Sequence, residues 1–277
     1  GLLQTLLDGG YEYLFVSTSD NLGAVLDTRI LGYFAQERLP FLMEVANRTP
    51  ADSKGGHLSR RPDGQLILRE LSQCPPDELA LVQDVARYRY FNTNNLWVHL
   101  PTLASVLAEH DNLLDLPLIR NEKPVDPTNP ASPRVYQLET AMGSAISLFP
   151  GAQALRVPRI RFVPVKKTND LLLLWSDVYE ITPDFVLRLS PARQTYPQRR
   201  PPLIYLDETY YGLITDLQQR FAHGAPSLLQ CTELRVEGNI FFGRDIVMEG
   251  DVRLINGGPD AAHVADGTRL SGTVRLG

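Results

Sequence analysis

Residues 157–179 read VPRIRFVPVKKTNDLLLLWSDVY, in which a strand pattern gives way to an apolar helix within a few positions. The alternating apolar residues predict a strand over 154–165. Asp170, followed by the apolar run Leu171 to Trp175, predicts a helix, capped by Thr168 or Asn169. A strand that leads directly into a helix is typical of an α/β protein.

Three cationic residues, Arg159, Arg161 and Lys166, fall at this junction. Free backbone N–H groups and the helix dipole favour negative charge at such a position, so the cluster indicates a site for a small anion. The alternative is that the three are solvated surface charges beside a buried strand. For Arg159 and Arg161 in particular, contact with phosphate and pairing with acidic neighbours both remain open.

Strand and helix patterns alternate on the N-terminal side of this segment and continue to residue 199, and 138–149 is one of the predicted helices. This alternation predicts a mixed, mostly parallel sheet covered by helices. We therefore assign residues 1–199 to one α/β domain. The Pro- and Arg-rich stretch 191–203 has the composition of a linker.

A six-residue repeat dominates the C-terminal fifty residues. The aliphatic positions that keep its phase are Leu234, Ile240, Ile246, Val252, Val264, Leu270 and Leu276. Six residues per flat face with one aliphatic side chain pointing inward is what a parallel β-helix requires, and we expect a left-handed one. The alternative is an antiparallel meander. We assign 200–277 to a linker helix and this β-helix, whose open end suits stacking into a homo-oligomer.

The composition limits the class of partner. The formal net charge of the 277 residues is −5 and the isoelectric point is about 5.6, which argues against a general nucleic-acid or membrane-surface binder. No apolar run approaches the length of a membrane span, and two distant cysteines suit a reducing cytoplasm. The five histidines form no pair at metal-ligand spacing.

Four further segments accompany residues 157–179 in a fixed order: STSDNLGA (17–24), MEVANRTPADSKGG (43–56), FNTNNLW (91–97) and QLETAMGSAI (137–146). Together the five resemble the eukaryotic-type UTP–glucose-1-phosphate uridylyltransferases, over the whole chain. The resemblance implies a nucleotide-diphospho-sugar transferase-like sheet. It also implies that the family's N-terminal part, with a Gly-rich loop and a lysine that hold the UTP phosphates, lies before this chain.

The implied reaction joins UTP and glucose 1-phosphate to give UDP-glucose and pyrophosphate, reversibly. Phosphate is already a nucleophile, so positioning and charge neutralisation are the main tasks of such an enzyme. The implied partners are these four small molecules, and the implied cofactor is Mg²⁺.

Asp20 is the candidate metal ligand. It follows the apolar strand pattern of Tyr13–Val16, at the strand end where open α/β sheets place ligands. The resemblance carries the family's metal-binding aspartate onto Asp20, whereas the alternative is an N-cap for a helix that begins near Leu22. Thr18 stands where the family usually has Asn, and it is a candidate substrate-binding residue.

Lys166 matches the catalytic lysine of the family's PVK motif, and Lys167 is expected to face solvent. A primary ammonium is a compact charge that can follow a moving phosphate group. The resemblance implies that Lys166 bridges phosphates in the transition state.

The sugar is expected to be read by short polar side chains and close backbone. Carboxylate and amide groups suit hydroxyl recognition, and a turn with two glycines brings backbone near the ligand. The candidate residues are Glu44, Gly55, Gly56, Asn92, Asn94 and Asn95. The alternative is that some of these asparagines and glycines only shape turns.

Two other functions stay open. A related UDP-N-acetylhexosamine or broad UDP-sugar pyrophosphorylase would differ in segments 43–56 and 91–97. An inactive fragment or oligomerisation module of such an enzyme would lack the Gly-rich phosphate loop.

Overall fold

The computed structural model describes residues 1–48, 56–70, 74–84, 87–129, 131–197 and 199–276. Its α-helices are α1 (Leu2–Asp8), α2 (Thr28–Gln36), α3 (Leu79–Val82), α4 (Leu100–Glu109), α5 (Thr168–Trp175), α6 (Pro191–Thr195), α7 (Glu208–Tyr211) and α8 (Ile214–Arg220). Its strands are β1 (Tyr13–Val16), β2 (Phe41–Asn47), β3 (His57–Arg60), β4 (Leu66–Arg69), β5 (Tyr90–His99), β6 (Leu118–Pro124), β7 (Arg134–Thr140), β8 (Gln153–Arg156), β9 (Tyr179–Ile181), β10 (Leu187–Leu189), β11 (Leu203–Leu206), β12 (Ser227–Glu237), β13 (Ile240–Phe242), β14 (Val247–Ile255), β15 (Ala262–Val264) and β16 (Arg269–Arg275). None of the helices in these ranges is long and apolar enough to cross a membrane.

The chain forms two compact units, Gly1–Val163 and Pro164–Gly277. The predicted boundary at residue 199 therefore falls inside the second unit. The reason is that α5 contributes Leu172 to the same buried core as the repeat residue Leu234.

The first unit contains a six-stranded mixed sheet in the order β4-β3-β5-β2-β8, with β1 also paired to β5. The mixed character is as predicted, but the predicted parallel majority is wrong for this sheet. Only β2 and β8 are parallel among its described pairs, and the others are antiparallel. A tight turn joins β3 to β4, and such a short connection permits only antiparallel pairing.

The long strand β5 is the centre of this sheet. On one side it pairs with β2, and on the other side it pairs first with β3, at Phe91, and then with β1, from Leu96 onward. Residues 92–95 therefore lie between the ends of two neighbouring strands. The turn that follows β1 opens directly beside them.

Two buried clusters hold the first unit together. One cluster packs the 3-10 helix Met142–Leu148 against β2, β4 and β5, and the other packs α2 against Leu42 and Trp97. The helix predicted over 138–149 is wrong in its first turn, because residues up to Thr140 belong to β7 and pair with β6 in an exposed hairpin. Hairpin pairing thus overrides the helix propensity of Gln137–Thr140.

The strand predicted over 154–165 is also wrong beyond its first residues. β8 ends at Arg156, and a 3-10 helix, Arg159–Arg161, follows Pro158. Proline lacks the N–H that a ladder needs, which explains where the strand stops. Helix α5 begins at Thr168, and its cap is the Asp170 carboxylate, which accepts hydrogen bonds from the backbone N–H groups of Lys166 and Lys167.

Apart from the antiparallel pair of β9 and β10, the described strands of the second unit pair in parallel. In order, β11, β12, β14 and β16 form one parallel sheet, and β13 pairs with β15 in another. Leu234 lies beside Val252, three six-residue repeats later. The repeat residues from Leu234 to Leu270 are buried in one core. The parallel pairing of the strands from β11 to β16 excludes an antiparallel meander for the repeat.

Arg193 fastens the stretch 191–203 to this core. Its guanidinium is fully buried and donates to the carbonyl oxygens of Arg200, Leu229 and Cys231 at 2.8, 2.6 and 2.8 Å. The described residues of the predicted linker around α6 are therefore held to the core rather than forming a free connection. Burial lowers the pKa of the Arg193 guanidinium and raises the pKa of the Cys231 thiol to about 12.

Candidate functional site

The candidate site of the first unit begins where β1 ends. A turn closes after Val16, because the Asn21 N–H donates to the Thr18 carbonyl at 3.1 Å. Thr18 and Asp20 are both half-buried in this turn. Asp20 does not cap a helix near Leu22, since α2 begins only at Thr28 and Asp27 caps it by accepting from the Arg29 N–H.

The asparagines of FNTNNLW form a bulge in β5. Met43 of β2 pairs with Leu96, whereas Val45 pairs with Asn92, so three residues of β5 face one residue of β2. Asn94, at the tip of the bulge, has a left-handed backbone with φ of 57°. Bulges of this kind re-aim side chains and are frequent beside active sites.

Hydrogen bonds hold this bulge in shape. Asn92 donates to the Asn94 side-chain oxygen at 2.7 Å, and the Asn94 N–H donates back to Asn92 at 2.9 Å. The Thr93 hydroxyl donates to the backbone carbonyl of Glu44 at 2.8 Å. Asn92 and Asn94 therefore do shape the backbone, as the alternative interpretation held. Asn94 is the more accessible of the two.

A buried group of side chains, which we call the Glu44 cluster, lies beneath the bulge. It comprises Asn21, Glu44, Asn95, Trp97 and Arg161. The Glu44 carboxylate is fully buried and accepts four hydrogen bonds. Two come from the Arg161 guanidinium at 2.6 Å each, one from the Trp97 indole at 2.9 Å and one from the Asn95 amide at 3.1 Å.

The cluster answers the question left open for Arg161. Arg161 pairs with an acidic neighbour in bidentate geometry, and its side chain is only 9% exposed. A bidentate guanidinium–carboxylate pair is the form in which two charges are tolerated in an interior. The carboxylate of Glu44 is thus occupied by protein donors here, and its contact with a sugar hydroxyl stays a prediction.

Asn21 is a member of the cluster that the sequence did not single out. Its amide group donates to the Asn95 side-chain oxygen and to the Arg161 carbonyl, each at 3.1 Å. Its oxygen accepts from the N–H groups of Gly23 and Val163 at 3.1 and 2.8 Å. The local sequence marks Asn21 only by its position between Asp20 and a Leu-Gly pair. The sequence could not show its role in the cluster, because its hydrogen-bond partners lie up to 142 residues away.

Arg159 and Gly56 are not members of the Glu44 cluster. The Arg159 guanidinium donates to the Asn47 carbonyl at 3.4 Å, and both residues line a cavity of about 290 Å³. Gly56 is buried, and a Cβ atom there would lie 2.6 Å from the Glu70 carboxylate. Gly55 lies outside the described residues.

His57 is a second buried polar residue that the sequence did not single out. Its ring is fully buried and packs against Tyr88 in a tilted arrangement, with 4.0 Å between ring centroids and 41° between ring planes. Within the described part of the chain, neither ring nitrogen has a hydrogen-bond partner. Burial, with the positive charges of Arg48 and Arg69, lowers the pKa of His57 to about 4.

Lys166 belongs to the second unit, where it is exposed and immediately precedes the first turn of α5. Its neighbour Lys167 is also exposed and forms an ion pair with Glu208. Lys167 therefore faces solvent, as predicted. Over the ranges that the structure describes, no three His, Cys, Asp or Glu side chains form a group able to hold a metal ion.

The chain is similar to known proteins along its whole length. A family model described as UTP–glucose-1-phosphate uridylyltransferase matches residues 1–249. The UTP–glucose-1-phosphate uridylyltransferase of Encephalitozoon cuniculi is 38% identical over 277 residues, which are 100% of this chain and 54% of that protein. The chain thus spans about half the length of the curated relatives it matches.

Two solved structures are similar in fold as well. UDP-glucose phosphorylase from Trypanosoma brucei has 43% identity and a TM-score of 0.90, with 100% of this chain and 59% of that chain covered. A UDP-glucose pyrophosphorylase variant from Leishmania major, solved with UDP-glucose, has 45% identity and a TM-score of 0.89, with 99% and 59% covered.

Proposed function

Because the chain belongs to the UTP–glucose-1-phosphate uridylyltransferase family, we propose that the whole protein forms UDP-glucose and pyrophosphate from UTP and glucose 1-phosphate. The single observation that carries this proposal is the family match over residues 1–249. The buried amide and carboxylate groups beneath the β5 bulge support it, because a pocket for a sugar needs a rigid polar floor.

The reaction needs few protein groups. An oxygen of glucose 1-phosphate attacks the α-phosphorus of UTP, the bond from that phosphorus to the β-phosphate oxygen breaks, and pyrophosphate leaves with the electron pair. The two reactants repel one another through their phosphates, so the protein must hold them in line and offset their charge. The reverse reaction uses the same contacts.

We assign the metal-binding role to Asp20. Mg²⁺ takes one or two carboxylates and completes its shell with phosphate oxygens and water, so a single half-buried aspartate in a turn fits this ion. Bound there, Mg²⁺ would supply positive charge to the phosphate oxygens. Thr18, in the same turn, would contribute a hydroxyl to substrate binding.

The roles of direct phosphate and sugar contact go to side chains that are not buried, and buried neighbours support them. Lys166 would bridge phosphates during transfer, and Arg159 would contact a phosphate oxygen. Asn94 would contact the sugar directly from the tip of the bulge, with Asn92 holding it in place. Gly55 and Gly56 would bring backbone close to the sugar, and Asn95 and Glu44 would orient the floor of the pocket.

The C-terminal strands have an assembly role in this proposal. We infer that the parallel pairs from β11 to β16 wind as a left-handed β-helix, because the six-residue phase recurs through buried positions. The open end of such a coil would stack on a second copy of the protein. A cytoplasmic location is proposed with it.

The test is pyrophosphate-dependent release of UTP from UDP-glucose by the full-length protein with Mg²⁺, compared with UDP-N-acetylglucosamine. We expect turnover with UDP-glucose and a strong preference for it. Equal turnover of both sugars would favour a broad UDP-sugar pyrophosphorylase, and no turnover of either would contradict the proposed function.

Removal of the metal tests the Asp20 assignment. EDTA should abolish turnover, added Mg²⁺ should restore it, and Asp20→Asn should raise the Mg²⁺ concentration needed for half-maximal turnover. Asp27→Asn is the matched control, since Asp27 lies further along the same connection between β1 and α2, where its carboxylate caps α2 and pairs with Arg29. An unchanged Mg²⁺ requirement in Asp20→Asn would exclude Asp20 as the ligand.

A further inference from the structure

We propose that Asn21 is a positioning residue that sets the geometry of the Asp20 turn for substrate binding and turnover. This inference rests on the proposed function, because it names a further residue of the same site. Asn21 itself does not need to touch the substrate.

The first argument is that the hydrogen-bonding capacity of Asn21 is fully used. A side-chain amide has two N–H donors and an oxygen with two lone pairs, and all four are engaged at 2.8 to 3.1 Å. Its orientation is unambiguous, since the N–H groups of Gly23 and Val163 can only donate. A fully satisfied buried polar network fixes one conformation, whereas a partly satisfied one does not.

The second argument is that these bonds join three separate parts of the unit. Asn21 follows Asp20 directly, its amide reaches Asn95 of the bulge, and its oxygen reaches the N–H of Val163. The backbone carries the same connection, because the Leu22 N–H donates to the Val163 carbonyl at 3.1 Å. The turn that bears Asp20 is therefore held against both the bulge and the 160–163 segment.

The third argument is the close contact at Gly23, which is independent of the side-chain bonds. A Cβ atom at Gly23 would lie 2.3 Å from the Ile160 carbonyl oxygen and 2.6 Å from the Arg161 carbonyl carbon. The loop after Asn21 thus lies directly on the backbone of the 3-10 helix. This contact requires the path of the chain that the Asn21 bonds define.

The connection continues from Asn21 into the Glu44 cluster. The Asn95 oxygen accepts from Asn21, and this leaves the Asn95 amide nitrogen to donate to Glu44. A flip of Asn95 would turn its oxygen toward the Glu44 carboxylate, and two acceptors would then repel one another. Asn21 and Glu44 together therefore determine which way Asn95 faces.

The test variant is Asn21→Asp in the full-length protein. The variant keeps the side-chain oxygen that accepts from the N–H groups of Gly23 and Val163. It replaces the amide nitrogen by a second oxygen, which then faces the Asn95 side-chain oxygen and the Arg161 carbonyl oxygen and is repelled by both. The matched control is Asn129→Asp, because Asn129 is exposed and its side-chain oxygen accepts from the nearby Ala131 N–H. Circular dichroism and thermal unfolding establish which variants are folded.

We expect folded Asn21→Asp to lose about 10- to 100-fold in turnover, since small displacements of positioning groups have effects of this size. Its dissociation constant for UDP-glucose, measured by titration calorimetry, should rise, and Asn129→Asp should match the wild type in both quantities. Part of the loss should reverse as the pH falls, because a protonated carboxyl again donates one hydrogen bond.

A purely structural residue would lower the melting temperature without changing turnover or affinity of the folded protein, and that result would overturn the proposal. Where Asn21→Asp does not fold, Asn21→Ser takes its place under the same criteria. Failure of both to fold would assign Asn21 a structural role alone and also overturn it. A wild type that neither binds nor turns over UDP-glucose would contradict the proposed function, whereas an active wild type with an equally active variant contradicts only the positioning role.

Discussion

At the level of single residues, the Glu44–Arg161 pair has the largest predicted effect on stability. Glu44→Gln leaves the Arg161 guanidinium buried without a counter-charge, which costs about 3–5 kcal/mol. Urea unfolding of the full-length protein measures this loss.

The matched control is Glu237→Gln. The Arg253–Glu237 pair has the same bidentate geometry but is exposed, so its loss should destabilise the protein far less than loss of the Glu44–Arg161 pair. Equal decreases in the free energy of unfolding in the two variants would show that burial does not make the Glu44–Arg161 pair more important for stability.

Lys166 tests electrostatic catalysis separately from folding. Lys166→Ala should reduce turnover by about 100- to 1000-fold, the usual effect of removing one transition-state contact, with an unchanged melting temperature because the side chain is exposed. Lys167→Ala is the control, since that exposed lysine pairs with Glu208. Similar turnover in both variants would contradict a special role for Lys166.

His57 predicts a pH dependence of stability. The pKa of His57 is about 4 in the folded protein and near 6.5 in an unfolded chain, because burial disfavours the charged ring. As pH falls from 6.5 to 4, the unfolded chain binds a proton that the folded chain excludes. Stability therefore decreases over this window, by roughly 3 kcal/mol in total, and the contribution is constant below it.

His57→Phe removes this titration and keeps a ring against Tyr88. When the pH falls from 7 to 4.5, the free energy of unfolding should decrease in both proteins, and the decrease should be about 2–3 kcal/mol smaller in His57→Phe than in the wild type. His110→Phe, at an exposed position, should follow the wild type. Identical pH profiles for all three proteins would rule out His57 as the source.

At the level of elements, Gly143 determines how closely the 3-10 helix Met142–Leu148 packs on the sheet. A Cβ atom at Gly143 would lie 2.6 Å from the Asn92 amide nitrogen and 2.7 Å from a Leu68 methyl group. Gly143→Ala should therefore destabilise by about 1–3 kcal/mol and disturb the Asn92–Asn94 bonds of the bulge.

The control is Gly32→Ala within α2, where the added methyl group meets no atom within 4 Å. That change should stabilise by up to about 1 kcal/mol, because alanine favours the helix. Thermal unfolding compares the two, and a neutral Gly143→Ala would show that the helix can shift to accommodate the methyl group.

Elements with a strong local pattern could be predicted from the sequence. The strand Tyr13–Val16 and the six-residue repeat both follow from periodicity alone. Strand β5 was missed because four polar residues interrupt its apolar pattern, and the bulge that accommodates them depends on β2. The strand prediction over 154–165 was too long, because the apolar residues alternate throughout but proline ends the strand early.

At the level of the whole molecule, the division into two units also depends on distant contacts. Leu172 belongs to a helix that follows the first unit in sequence, yet it is buried with the repeat residues. The candidate site shows the same limit. Asp20 and Asn94 could be selected from their motifs, whereas the role of Asn21 depends on partners 74 and 140 residues away.

The sequence distance between Glu44 and Arg161 has a consequence for synthesis. The two residues are 117 positions apart, so a ribosome that adds about 5–20 residues per second needs roughly 6–23 s to make the second after the first. During that interval Glu44 must stay hydrated, because enclosing a carboxylate without its partner is strongly unfavourable. We therefore expect the core around β2 to close only after translation has passed Arg161, and until then this apolar strand stays exposed and prone to aggregation.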